Sequence, residues 1–131
     1  MRDLIIRSKL DEIDDHLVQM ATELVDHTGI ANKKNGKEIM QDKQLRNVIA
    51  VSQDTQSIPV VDNFIKYQIG RHEEWRHERF GELLREDLQR LQEQTQKLAD
   101  QLIPARDLAI YGARRYLGYL MRHFKYRQEV G

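Results

Sequence analysis

Ile6, Leu10, Ile13, Leu17, Met20 and Leu24 recur at steps of four, three, four, three and four. Such spacing makes a heptad seam along one face of a helix. Asp11, Glu12, Asp14 and Asp15 fall off the seam, so residues 4–27 read as one amphipathic helix. The next stretch, TGIANKKNGK, has no periodicity and holds two Gly and two Asn, which predicts a loop over 28–38. Asp42 is then placed to cap a helix to about Gln53, with Leu45, Val48 and Ile49 on its inner face. A break follows at TQS, ahead of Ile58-Pro59. Proline disfavours helical geometry in the residue before it but suits a first turn. Ser57 or a neighbour should therefore cap a helix carrying Val60, Val61, Phe64, Ile65 and Ile69.

Gly70 ends that helix or weakens it. A long helix is expected from there through Ile103, its inner stripe marked by Phe80, Leu84, Leu88, Leu91, Thr95, Leu98 and Leu102. Glu82/Arg85, Glu86/Arg90 and Glu93/Lys97 are pairs three or four apart, the mark of a solvated face. Pro104 breaks the run. A last helix is expected over about 106–127, with Ile110, Ala113, Leu117, Leu120, Met121 and Phe124 inward. Five helices and no convincing strand predict an all-α, single-domain bundle over residues 1–131.

Composition narrows the function classes. The 131 residues contain no Cys, which excludes disulfides, Cys-ligated zinc, iron–sulfur clusters and thiol catalysis. No apolar stretch approaches the ~18 residues a spanning helix needs, so no membrane partner is expected. The start, MRDLIIRSKLDEIDD, turns acidic at once and lacks the apolar stretch of a signal peptide. The expectation is a soluble, cytoplasmic protein. Its 21 basic and 21 acidic residues cancel, which argues at first against a polyanionic partner. The cancellation is uneven along the chain. Residues 1–40 hold six basic and eight acidic side chains, and 41–104 nine and eleven, whereas 105–131 hold six and two. A basic C-terminal fifth on a slightly acidic body points to a polyanion better than the total does.

Several groupings could carry chemistry. HEEWRH at 72–77 has its two His five apart, not the four that let both imidazoles reach one zinc ion. Five steps turn them by about 140° on a helix. Glu74, Glu78, Glu82 and Glu86 are each four apart and could line a Mg²⁺ site, as in all-α nucleotide pyrophosphohydrolases, with acids from Asp11, Glu12, Asp14 and Asp15. Interspersed Arg76, Arg79, Arg85 and Arg90 favour a solvated, ion-paired face instead. No Ser/His/Asp arrangement or Gly-rich phosphate loop occurs.

The last helix is the most informative. Arg115, Tyr119, Arg122 and Tyr126 stand at i, i+4, i+7 and i+11 and share a face, flanked by Arg114, Lys125 and Arg127. Guanidinium groups hold phosphates bidentately, and Tyr rings pack on sugars or bases. Lys43 with Arg46, and Lys66 with Arg71, form two further basic groups. Against nucleic-acid binding stands plain structural pairing, with these Arg side chains lying over the bundle onto acids of the long helix. The residues alone leave both open. The heptad seam adds a third reading, a helical homo-oligomeric adaptor without nucleic acid; packing inside the bundle also accounts for the seam.

From Gln44 on, the order of motifs resembles the small α-helical subunit of type III CRISPR effector complexes. QLRN at 44–47 resembles the segment that opens that family's shared part. NFIKYQIGR at 63–71 resembles its Tyr, small-residue and Arg segment. FGELLREDLQRL at 80–91 is similar to its long amphipathic helix, and YLGYLMRHFKYRQ at 116–128 to its aromatic, basic C-terminal helix. Residues 39–128 would thus be the family-like helical core, and residues 1–38 lie outside the likeness. The resemblance implies a noncatalytic subunit without cofactor or metal. It would stack in several copies, contact other effector subunits, and brace guide and target RNA through their backbones. Backbone contacts position a strand without reading it, while guide pairing supplies the sequence information. By position, the residues expected on phosphate or sugar are Lys43, Arg46, Lys66, Arg71, Arg115, Arg122, Lys125 and Arg127.

Overall fold

A computed structural model describes residues 1–131. It is an all-α bundle of six helices, with one very small hairpin: α1 (Arg2–Asp11), α2 (Asp14–Thr28), β1 (Lys33–Lys34), β2 (Lys37–Glu38), α3 (Asp42–Gln53), α4 (Ile58–Arg71), a 3-10 segment (Glu73–Arg79), α5 (Phe80–Leu98) and α6 (Ala105–Val130). The central element is α6, which packs on α2, α3 and α5. Its Tyr116 and Phe124 are fully enclosed, together with Trp75 and Phe80. Enclosing one such ring contributes about 1.5–3 kcal/mol. No helix is long and apolar enough to cross a membrane.

The bundle has six helices rather than five because the heptad seam is broken. Glu12 and Ile13 form a tight turn, with Ile13 N–H donating to the Leu10 carbonyl at 3.0 Å. Electrostatics favours the break. In a continuous helix the acids at 11–15 would sit mid-helix, whereas the break puts Asp14 and Asp15 in the first turn of α2, at the positive pole of the helix dipole. The seam still faces inward. Ile6 and Leu10 pack with Ile103 and Leu108 in a small cluster of their own. Leu17, Met20 and Leu24 join the main core, and Ile13 touches both. The seam is therefore occupied within the chain, which removes it as support for pairing between chains.

The expected loop contains a hairpin. Asn35 (φ 53°) and Gly36 (φ 79°) are both left-handed and join antiparallel strands that pair Lys34 with Lys37 and Lys33 with Glu38. Two left-handed residues are what a two-residue type I′ turn needs, and Asn-Gly supplies them most readily. Ile30, Ala31 and Met40 are buried at its two ends and anchor it to the body.

The long helix expected up to Ile103 is shorter at both ends. Its start is replaced by the 3-10 segment, and Glu78 (φ 46°) and Arg79 (φ 59°) are left-handed where that segment meets α5. This kink turns Trp75 into the core. The helix ends at Leu98, where the Lys9 ammonium donates to the Leu98 carbonyl at 3.0 Å and pairs with Asp100 at 2.8 Å. Asp100 in turn accepts from the Leu102 and Ile103 N–H groups, both at 2.9 Å. A cation on a terminal carbonyl and an Asx-type turn together stop a helix. Ile103 is buried, but Leu102, expected inside, is 73% exposed. Val60 is likewise exposed. The expected caps differ too. Gln41, not Asp42, precedes α3, and Ser57 holds the N-cap position of α4 without a side-chain capping bond.

Candidate nucleic-acid interface

The Arg/Tyr stripe of α6 divides into two parts. At its N-terminal end Arg115 donates to Asp11 at 2.9 Å and lies 3.4 Å from Asp14. Tyr119 donates its hydroxyl to the same Asp14 at 2.5 Å. Further along, Arg127 clasps Asp26 with two bonds of 2.9 and 3.3 Å, and that bond holds the Asp26 carboxyl below its ordinary range. Lys125 reaches Asp42 at 3.0 Å and Glu129 at 3.2 Å, and these partners raise its pKa, Asp42 foremost. Arg115, Lys125 and Arg127 are thus ion-paired, with acids of α1, α2, α3 and α6 rather than of the long helix. Arg122 is different. It is exposed, is 5.9 Å from the Tyr119 ring centroid, and enters no ion pair. Arg114, a flanking residue, donates to the Ser52 and Thr55 carbonyls at 2.9 and 3.0 Å, tying the end of α3 to α6.

The helix segments that carry the other two basic groups are adjacent. Gln68 of α4 donates its side-chain N–H to the Gln44 side-chain oxygen of α3 at 3.2 Å, and both residues are buried. The Trp75 indole N–H points at the same oxygen from 3.5 Å, long for a hydrogen bond. This contact holds the start of α3 beside the end of α4. Lys43 and Arg46 flank Gln44, and Lys66 and Arg71 flank Gln68, so all four cations lie at one end of the helix pair. All four are exposed. None of them is among the ion pairs of the structure. Arg71 donates instead to the Tyr67 hydroxyl. An exposed cation without an acid keeps its hydration and charge available to a phosphate.

The glutamate stripe is not a continuous stripe. Glu74 and Glu78 belong to the 3-10 segment, and the kink at 78–79 breaks the four-residue register to Glu82 and Glu86. Glu82 pairs with Arg85 at 3.0 Å, which also holds Asp62 at 2.7 Å. Glu86 lies 3.4 Å from Arg79. Asp87, not Glu86, takes Arg90, at 2.8 Å. No group of three or more His, Asp or Glu side chains is arranged to hold a metal ion. His72 and His77 lie on either side of Trp75, whose burial decides the shape of this segment.

Sequence reasoning missed Gln44, Gln68, Asp87 and Tyr116. A signal existed for the glutamines. Gln68 follows Val61 and Ile65 at seven and three residues, and Gln44 precedes Val48 by four, so both are polar residues in an apolar phase. Asp87 likewise stands one turn from Leu84 and Leu91, in a register that points inward.

Comparison of the chain with protein-family models, with curated proteins and with solved structures gives no match.

Proposed function

We propose that the protein is a noncatalytic, RNA-contacting subunit that acts inside an assembly, of the kind represented by the small α-helical subunit of type III CRISPR effector complexes. The observation that carries the RNA part is Lys43, Arg46, Lys66 and Arg71, four exposed cations outside every ion pair, on helix ends that the Gln44–Gln68 bond holds side by side. Such a group binds phosphates without reading sequence. The family part rests on motif order. QLRN lies in the first half of α3, NFIKYQIGR ends α4, FGELLREDLQRL opens α5, and YLGYLMRHFKYRQ runs along α6. Several copies in contact with guide and target RNA would multiply a weak contact by raising the effective concentration, which suits a chain of zero net charge.

The test is binding of single-stranded RNA, followed by electrophoretic shift over a salt series, beside light scattering of the free protein. Affinity that falls steeply with salt and is indifferent to sequence supports the reading. A discrete homo-oligomer that ignores RNA at low salt supports the adaptor reading and removes this one.

A further inference from the structure

Tyr67 is 51% exposed and stands between Lys66 and Arg71 along α4. A large ring left half in water offers its surface to a ligand, and its surroundings bear on which. The Arg71 guanidinium, one turn on, bonds the phenolic oxygen and its carbon lies 5.7 Å from the ring centroid. Phe64 backs the ring from the N-terminal side, with centroids 6.4 Å apart and planes tilted by 38°. The phenol is therefore held by a cation at its hydroxyl and neighboured by a second aromatic ring. Lys43 and Arg46 stand across the Gln44–Gln68 bond, with Lys66 next to it in sequence.

We propose that Tyr67 is a stacking platform for an unpaired nucleobase of a single-stranded RNA, whose flanking phosphates lie on Lys43, Arg46, Lys66 and Arg71. This rests on the RNA reading above and adds to it a contact with the base. A flat ring beside fixed positive charge matches the two chemistries of a nucleotide, a π-face and an anion. A duplex interior does not offer the ring a base face, because its bases are already stacked on one another. The site should therefore favour single strands, and it should tolerate any base, since every base has a π-face. An acidic peptide would satisfy the cations but give the ring nothing flat to stack on.

The experiment uses the full chain and a fluorescent 2-aminopurine placed centrally in an RNA of about ten nucleotides, a length within the usual single-strand site size. The RNA is tested single-stranded, paired to its complement, and with an abasic position in place of the fluorophore base, the last read by anisotropy of an end label. The expected results are quenching of 2-aminopurine by the native protein and about tenfold weaker binding of the single strand to Tyr67→Ala, with quenching lost. Tyr67→Phe keeps both, and the salt slope and duplex affinity of Tyr67→Ala match the native values. Circular dichroism and melting of Tyr67→Ala control for folding. Independently of any variant, the abasic strand should bind the native protein more weakly. Native-like binding and quenching by Tyr67→Ala, or equal affinity for intact and abasic strands, overturns the stacking proposal while salt-dependent RNA binding keeps the parent reading alive. So does competition by an acidic peptide that is as effective against the native protein as against Tyr67→Ala and as effective as the RNA itself. Failure of the native protein to bind any of the RNAs at low salt removes both.

Discussion

The Tyr116 hydroxyl donates a 2.5 Å hydrogen bond to Asp87 Oδ2 in the interior of the bundle, linking α6 to α5. Arg90 closes on the other carboxylate oxygen at 2.8 Å. Burial pushes both acids up, the Asp87 carboxyl above its ordinary value and the Tyr116 phenol well above its own. Removing the hydroxyl by Tyr116→Phe leaves a desolvated carboxylate with one partner fewer. It should cost about 1–3 kcal/mol of stability. Urea denaturation measures it, and an unchanged midpoint refutes it.

The same pair gives a pH dependence with a definite sign. A carboxyl whose folded-state pKa is raised contributes stability that is complete below its unfolded value. That contribution is lost as pH rises through the folded one. Asp87→Asn keeps an acceptor for Tyr116 and carries no charge. Relative to the native chain, the variant should gain stability as pH rises from about 4 upward through the raised Asp87 value. Melting curves across that range decide it; a constant difference between the two proteins is the contrary result.

Gly81 opens α5 where the helix crosses α4. A Cβ there would lie 2.4 Å from Ile69 Cγ1 and 3.0 Å from the Trp75 carbonyl oxygen, so side chain and backbone would both have to move. Gly81→Ala should destabilise by about 1–3 kcal/mol, as overpacking does. Gly36 is the useful contrast. Nothing lies within 4 Å of its would-be Cβ, but its φ is +79°. Gly36→Ala should cost about 1 kcal/mol from backbone conformation alone, with faster amide exchange confined to the hairpin. Equal and global effects of the two substitutions would contradict this reading.

Charge changes on the candidate interface should sort by pairing. Arg46→Glu and Arg71→Glu are expected to weaken RNA binding on all sequences alike and to lower the salt slope by about one unit or more. Arg115, Lys125 and Arg127 must leave acids to reach a phosphate, so Arg127→Ala should weaken RNA binding less than Arg46→Ala. Its stability should change little, because the pair is solvent-exposed. Titrations of each variant at several salt concentrations test the ranking, which fails if Arg127→Ala proves the more damaging.

Much of the bundle was legible because helical periodicity is a direct imprint of burial. The seam from Ile6 to Leu24 and the inward face of α6 at Ile110, Ala113, Leu117, Leu120 and Phe124 are buried or nearly so. What periodicity does not encode is where a helix stops for electrostatic or turn reasons. The break at Glu12–Ile13, the stop at Leu98 imposed by Lys9, and the kink at Glu78–Arg79 all depend on partners or backbone angles invisible to a hydrophobic pattern. The Asn35-Gly36 hairpin was readable from its dipeptide, although its flanks, Lys-Lys and Lys-Glu, lack the alternation that marks strands. In the interface, residue type identified cations but could not distinguish Arg127, spent on Asp26, from Arg46, which has no acid. Three-dimensional distance alone makes that distinction.

The four-residue cluster that seats α1 has a mechanical consequence. Ile6 and Leu10 bury themselves against Ile103 and Leu108, apart from the main core, and the remaining ties of α1 are polar: Arg2 to Asp107, Lys9 to Asp100 and the Leu98 carbonyl, and Asp11 to Arg115. Such a segment can lift off without melting the bundle, since sub-global opening exposes only what the segment itself covers. Asp11 would leave with it, and Arg115 would lose its closest carboxylate. If α1 lifts, Arg115 keeps only Asp14 as its partner, so docking of the first helix bears on how much positive charge α6 shows; amide exchange over residues 2–11 faster than over α2 would be its signature.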